Sequence, residues 1–186
     1  TVAGVAVGSA CSSSNCDDCK SAYGTCVKCN SGYYLYSNTC YLPASLPTGI
    51  GSNTVSGVAV GSACSASNCD DCKSAYSTCV KCNSGYYLYS NTCYLPASLP
   101  TGIGANTVAG VNVGSSCSTS SCDDCKSAYG TCVKCNTGYY LYSNTCYLPA
   151  NLPTGIGANT VAGVAVGSAC SSSNCDDCKS AYGTCV

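Results

Sequence analysis

The chain has 186 residues, 22 of them cysteine, with eight acidic and seven basic side chains for a net charge of −1 and no His, Met, Trp or Phe. A cysteine share above the roughly 8–10 % that marks a disulfide scaffold points to an oxidising, extracellular setting, and near-neutrality leaves no basic face for nucleic acid. No apolar run reaches the roughly 18 residues that would read as a membrane span, and with the acids all Asp and the bases all Lys there is little to run acid–base chemistry, so neither enzyme activity nor a cofactor is expected.

Aligned on itself, the chain repeats every 53 residues, giving units 1–53, 54–106 and 107–159 and a partial unit 160–186. The first two units differ at Ala3/Ser56, Ser13/Ala66, Gly24/Ser77 and Ser52/Ala105, and the third adds Asn112, Ser116, Thr119, Ser121, Thr137 and Asn151. All are exchanges among small or polar residues, which leaves little room for one unit to have become a catalytic site. A fixed period of this order is the signature of a stacked array. Each complete unit carries two Asp and two Lys, so neighbouring copies do not repel one another, which suits self-association. A chain without an initiator Met that stops within a unit is expected to be the middle of a longer polypeptide.

Along one unit, Thr1–Val7 is β-prone and predicts a strand with Thr1, Ala3, Val5 and Val7 on its buried side. Ser12–Asn15 and Cys16–Cys19 are too polar for a strand, and turns with a short helical turn over Asp17–Ala22 are expected. Asn30-Ser31-Gly32 predicts a turn, Tyr33–Tyr36 a strand, Ser37-Asn38 a tight turn and Thr39–Leu42 the returning strand. That hairpin holds four of the five tyrosines of the unit. Their rings are expected to cover disulfides in place of a core, with a sugar-stacking platform as the alternative. In Leu42–Gly51 two prolines predict extended backbone. The whole cysteine-free spacer, Tyr41–Ala63, contains no charge. A flexible linker would be solvated, so the spacer is expected to be ordered, with Leu42, Leu46, Ile50, Val55, Val58 and Val60 as the cohesive residues.

The cysteines of the first unit, Cys11, Cys16, Cys19, Cys26, Cys29 and Cys40, are separated by four, two, six, two and ten residues. Cys16-x2-Cys19-x6-Cys26-x2-Cys29 could supply four thiolates to zinc, but it would strand Cys11 and Cys40, whereas disulfides use all six. Asp17-Asp18 has no third ligand beside it and reads as a solvated turn rather than a calcium site. No metal is therefore expected.

The pattern C-x4-C-x2-C-x6-C-x2-C, followed by Gly-Tyr-Tyr-Leu and a closing Cys, resembles the furin-like or growth-factor-receptor cysteine-rich repeat. It is most similar to the versions in protist surface antigens, the ciliate immobilisation antigens and diplomonad variant surface proteins. The resemblance implies pairing of first with third, second with fourth and fifth with sixth cysteine. In the first unit these bonds are Cys11–Cys19, Cys16–Cys26 and Cys29–Cys40. The second unit would have Cys64–Cys72, Cys69–Cys79 and Cys82–Cys93, and the third Cys117–Cys125, Cys122–Cys132 and Cys135–Cys146. Cys170–Cys178 and Cys175–Cys185 would close the partial unit. The hairpin independently brings Cys29 and Cys40 near one another.

The fold class expected is thus small disulfide-rich tandem repeats, mainly β-hairpins and loops, in an extended rod or solenoid-like array. The function expected is structural, an extracellular filament, sheath or rod whose partner is itself, between neighbouring repeats or as a homopolymer. A surface antigen or adhesion stalk is one alternative and a cysteine-rich metal-binding protein another. No Asn-x-Ser/Thr sequon occurs, so covalent sugar, if attached, is expected O-linked, at Ser12, Ser13, Ser14 and Thr48.

Overall fold

The computed structural model describes residues 10–19 and 22–186. They fall into two compact units. One takes in the described residues up to Ser84 together with Ser90–Cys93, the other Gly85–Tyr89 with Tyr94–Val186. Both are built from the same short hairpins and three-residue 3-10 turns. Among the described residues no helix is long and apolar enough to cross a membrane.

In the first unit, β1 (Cys16–Asp18) pairs antiparallel with β2 (Lys28–Cys29), setting Cys16 opposite Cys29 and Asp18 opposite Lys28. This corrects the helical turn expected over Asp17–Ala22, of which residues 20 and 21 lie outside the described residues. Residues three apart share a side on a helix but face opposite ways in extended chain. Cys16 and Cys19 must reach different partners, Cys26 and Cys11. In the next copy β7 (Cys69–Asp71) and β8 (Lys81–Cys82) repeat the pairing, and Lys73-Ser74 forms a turn closed by the Ala75 amide donating to the Cys72 carbonyl.

The tyrosine hairpin forms as its sequence suggests. β3 (Tyr34–Tyr36) and β4 (Thr39–Tyr41) are joined by Ser37-Asn38, both at positive φ (47° and 62°), the twist that suits a two-residue hairpin loop. After it, Pro43–Ser45 is a 3-10 turn rather than extended chain, with proline in the first turn where its missing amide costs nothing.

The expected strand Thr1–Val7 lies outside the described residues, but its copy Thr54–Val60 is not one strand. β5 (Ile50–Val55) and β6 (Val58–Ala63) form a hairpin around Ser56-Gly57, at φ of 50° and 80°. Glycine at the second loop position takes that left-handed conformation without a Cβ clash. The Asn53 side chain donates to Ser62 Oγ across the ladder.

The two hairpins join into one four-stranded sheet of order β4-β3-β6-β5, through a parallel contact in which Leu35 stands opposite Val60. In the second unit β9 (Tyr87–Tyr89) pairs parallel with β12 (Val111–Ser116), itself paired with β11 (Ile103–Val108). The later sheet, of order β16-β15-β18-β17, comprises β15 (Tyr140–Tyr142), β16 (Thr145–Tyr147), β17 (Ile156–Val161) and β18 (Val164–Ala169).

Eleven disulfides tie these strands, and no cysteine is free. They pair first with third, second with fourth and fifth with sixth in each complete module, and Cys170 with Cys178 and Cys175 with Cys185 in the last. Cys26, Cys29 and Cys40 are buried with Cys16, Tyr33 and Leu35 packed on them, so sulfur supplies most of each module's interior. Chain-entropy arithmetic for the loop of 11 residues closed by Cys29–Cys40 gives about 3 kcal/mol. The double substitution Cys29→Ser with Cys40→Ser is expected to lower stability by about that amount in a urea titration, and a loss below about 1 kcal/mol would assign the module's stability elsewhere.

Candidate self-association site at the spacer hairpin

The spacer hairpin has two faces, set by strand alternation. On one, the backbone of Gly61 lies under Ile50, Leu46 and Tyr36. In the next copy Leu99, Ile103 and Ala105 form a buried cluster against Tyr87, Tyr89 and Tyr94. Three of the four hairpin tyrosines therefore serve the spacer, and only Tyr33 lies on the disulfides. That departs from the expectation that all the rings cover sulfur. Tyr34 and Tyr36 alternate with Leu35, so the two sides of β3 feed two different clusters.

The other face carries Val58 and Val60. The structure thus divides the six proposed cohesive residues. Leu46 is only 1 % exposed and central, and Ile50 packs beside it. Val58 and Val60 are half-buried on the Leu35 side of the sheet. Leu42 and Val55 are exposed. The six are grouped by apolarity in an uncharged stretch, and the hairpin turn at Ser56-Gly57 decides which of them share a side.

The outer edge of β5 meets the following module. The Tyr76 amide donates to the Ser52 carbonyl at 3.0 Å and Ser52 Oγ donates to the Ser74 carbonyl at 2.6 Å, while on the inner side the Cys64 amide extends the β5–β6 ladder by donating to the Gly49 carbonyl at 3.0 Å. Ser52 is buried, and its one hydroxyl is satisfied there. In the second unit alanine takes its place, with the Ala105 amide donating to the Lys126 carbonyl and the Tyr129 amide to the Ala105 carbonyl. The Ala158, Lys179 and Tyr182 backbones repeat that pair of bonds. Gly51 makes this approach possible, since a Cβ there would overlap the Cys72 carbonyl and the backbone of Tyr76. No spacing rule exposes this junction in the sequence, because Ser52 and Tyr76 belong to different modules.

The two acids of each module differ: the second is largely enclosed, with Asp71 and Asp124 side chains only 15 % and 16 % exposed, while the first stands outside in an ion pair. Lys28 Nζ reaches Asp17 Oδ2 at 2.6 Å, as do Lys81 with Asp70 and Lys134 with Asp123. Each hydrogen bond to the carboxylate, then its charge, holds the lysine above its usual value. A groove of about 410 Å³ runs beside the first pair, between the Asn30–Gly32 turn and Gly57 with the start of β6, and recurs beside the third with about 640 Å³.

The cysteines weighed as zinc ligands are all paired in disulfides. Of the proposed sugar acceptors, Ser12, Ser14 and Thr48 are exposed and Ser13 is half-buried, with Ser12 Oγ donating to the Tyr23 carbonyl. No protein-family model matches the chain, and no curated protein is similar enough to it to serve as a relative.

Proposed function

We propose that the chain is an extracellular structural protein of furin-like character, whose disulfide-closed modules are coupled by their spacers into an extended array. One observation carries this reading. The spacer hairpin is joined to the module before it by the parallel contact of β6 with β3, and to the module after it by the backbone bonds of Ser52 and Tyr76. Within the first unit the spacer is thereby held through backbone on both of its sides. A constant step repeated along a chain generates an open helical or linear assembly. The dense disulfides support an oxidising location.

The reading is tested by electron micrographs of a chain of many consecutive units. A regular axial repeat is expected, and it should be lost when Leu46, Leu99 and Leu152 are replaced by Asp while the disulfides still form. An unchanged repeat in the variant would remove the spacer as the cohesive element.

O-linked sugar on Ser12, Ser14 and Thr48 belongs to the same proposal, supported by their exposure. Material from the natural source should have an intact mass above that of the oxidised polypeptide. A mass equal to the bare oxidised chain would end that part of it.

A further inference from the structure

Two of the three disulfides in each complete module touch one another. Cys26 Sγ lies 3.4 Å from Cys40 Sγ, and the same contact is 3.5 Å between Cys79 and Cys93 and 3.3 Å between Cys132 and Cys146. The sulfurs of Cys26, Cys29 and Cys40 all lie within 4.8 Å of one another. The Cys16–Cys26 and Cys29–Cys40 bonds therefore touch through Cys26 and Cys40, in a bent cluster whose sulfurs Cys26, Cys29 and Cys40 are all buried. Cys16 at the outer end is half-buried, whereas Cys26 is 1 % exposed.

We propose that Cys16, with Cys69 and Cys122, is a capture site for a low-molecular-weight thiol, coupled to an internal exchange that moves the free thiolate from Cys26 to Cys29. The incoming thiolate attacks Cys16 Sγ, forming a mixed disulfide there and breaking the Cys16–Cys26 bond, whose electron pair leaves on Cys26. The Cys26 thiolate is already in contact with Cys40 Sγ. It attacks that sulfur, forms Cys26–Cys40 and releases Cys29 as the thiolate, which takes a proton from solvent. Two disulfides are broken and two are made, so no oxidant or reductant is consumed.

Contact in place of diffusion is what favours the second step. A buried thiolate held against a disulfide sulfur meets it at an effective concentration that no thiol in solution reaches. The exchange carries the charged sulfur from Cys26, 1 % exposed, to Cys29, 8 % exposed, both within the same buried cluster. The modified module keeps two protein-borne crosslinks, Cys11–Cys19 and Cys26–Cys40, and gains a covalently attached thiol at its surface. The last module of the chain has Cys175–Cys185 but no counterparts of Cys29 and Cys40. It serves as a control within the same molecule.

The native chain is incubated with glutathione near pH 8, quenched with N-ethylmaleimide and cleaved after lysine without reduction. Cleavage isolates Cys26 on the peptide Ser21–Lys28, away from Cys16 and from Cys29 and Cys40. The second copy, Ser74–Lys81, is distinguished by Ser77 in place of Gly24. In converted modules the Cys26 peptide should leave its link to the Cys16 peptide and appear joined to the one carrying Cys29 and Cys40. One glutathione on Cys16 and one maleimide on Cys29 should accompany it, while Cys175 carries glutathione and Cys185 carries maleimide. Maleimide on Cys26 with Cys29–Cys40 intact would overturn the relay. So would the absence of glutathione from Cys16, Cys69 and Cys122, or the appearance of Cys26–Cys40 links only after unfolding in guanidinium.

Discussion

Alanine at Gly51 is expected to open the first junction without disturbing the disulfides. The added Cβ would overlap the Cys72 carbonyl oxygen and the amide nitrogen and Cα of Tyr76. All are backbone atoms that cannot rotate aside, and the loop bearing them is fixed by the Cys64–Cys72 disulfide. Overpacking into a close contact costs roughly 1–3 kcal/mol, and a clash with rigid backbone belongs at or above the top of that range. The junction gives way first, because its remaining bonds are few and each contributes only about 1 kcal/mol net. The measurement is hydrogen exchange of the Tyr76 amide, which donates to the Ser52 carbonyl and should lose protection of about a hundredfold or more. The control is Gly24→Ala, where the nearest atom, Ser12 Oγ, is 3.6 Å from the new Cβ and the second unit already carries Ser77. Equal protection of Tyr76 in both variants would show that β5 does not bear on the following module.

Truncation of Leu46 should have the other large effect. Leu46 is 1 % exposed, as are Leu99 and Leu152, and these are the largest fully buried side chains among the described residues. Ile50 and Tyr36 pack around the same point. A fully buried leucine cut to alanine costs about 2–5 kcal/mol, the spread depending on how far the site collapses. Collapse here is limited, since the surrounding strands are held in register by β3–β6 pairing and by disulfides. The expected result for Leu46→Ala is a urea midpoint lowered by that free energy with unchanged disulfide mapping. Leu42→Ala, at a position 49 % exposed, should stay within about 0.5 kcal/mol of the parent. If the two variants behaved alike, the tyrosine–leucine cluster would not be what orders the spacer.

The tyrosine hairpin was legible because its signals are local. Ser37-Asn38 and the flanking Tyr and Thr residues lie within a few positions of one another, and turn preference with strand alternation decides such a segment before anything packs on it. The spacer was half legible. Its lack of charge showed that it must be covered, but Val-Ser-Gly-Val in its middle was read as continuing strand. A two-residue loop ending in glycine was the available signal. It was masked because small residues also fit the alternation of a strand. Apolarity in an uncharged stretch selects Leu42 and Val55 along with Leu46 but carries no information on facing, and both are exposed.

The sequence by itself determined the period, the cysteine density and hence the class of fold, the tyrosine hairpin, and the need to order an uncharged spacer. All of these follow from composition or from residues close along the chain. Tertiary structure alone decided what the spacer touches. The contact of Ser52 with Tyr76, the approach that requires glycine at position 51, the parallel pairing of Leu35 with Val60, and the touching sulfurs of Cys26 and Cys40 all join segments separated by turns. Their positions depend on the cumulative direction of several hairpins, each left-handed turn residue reorienting the strand after it. Spacing along a chain records distance in residues, and only the folded path converts that into which atoms meet.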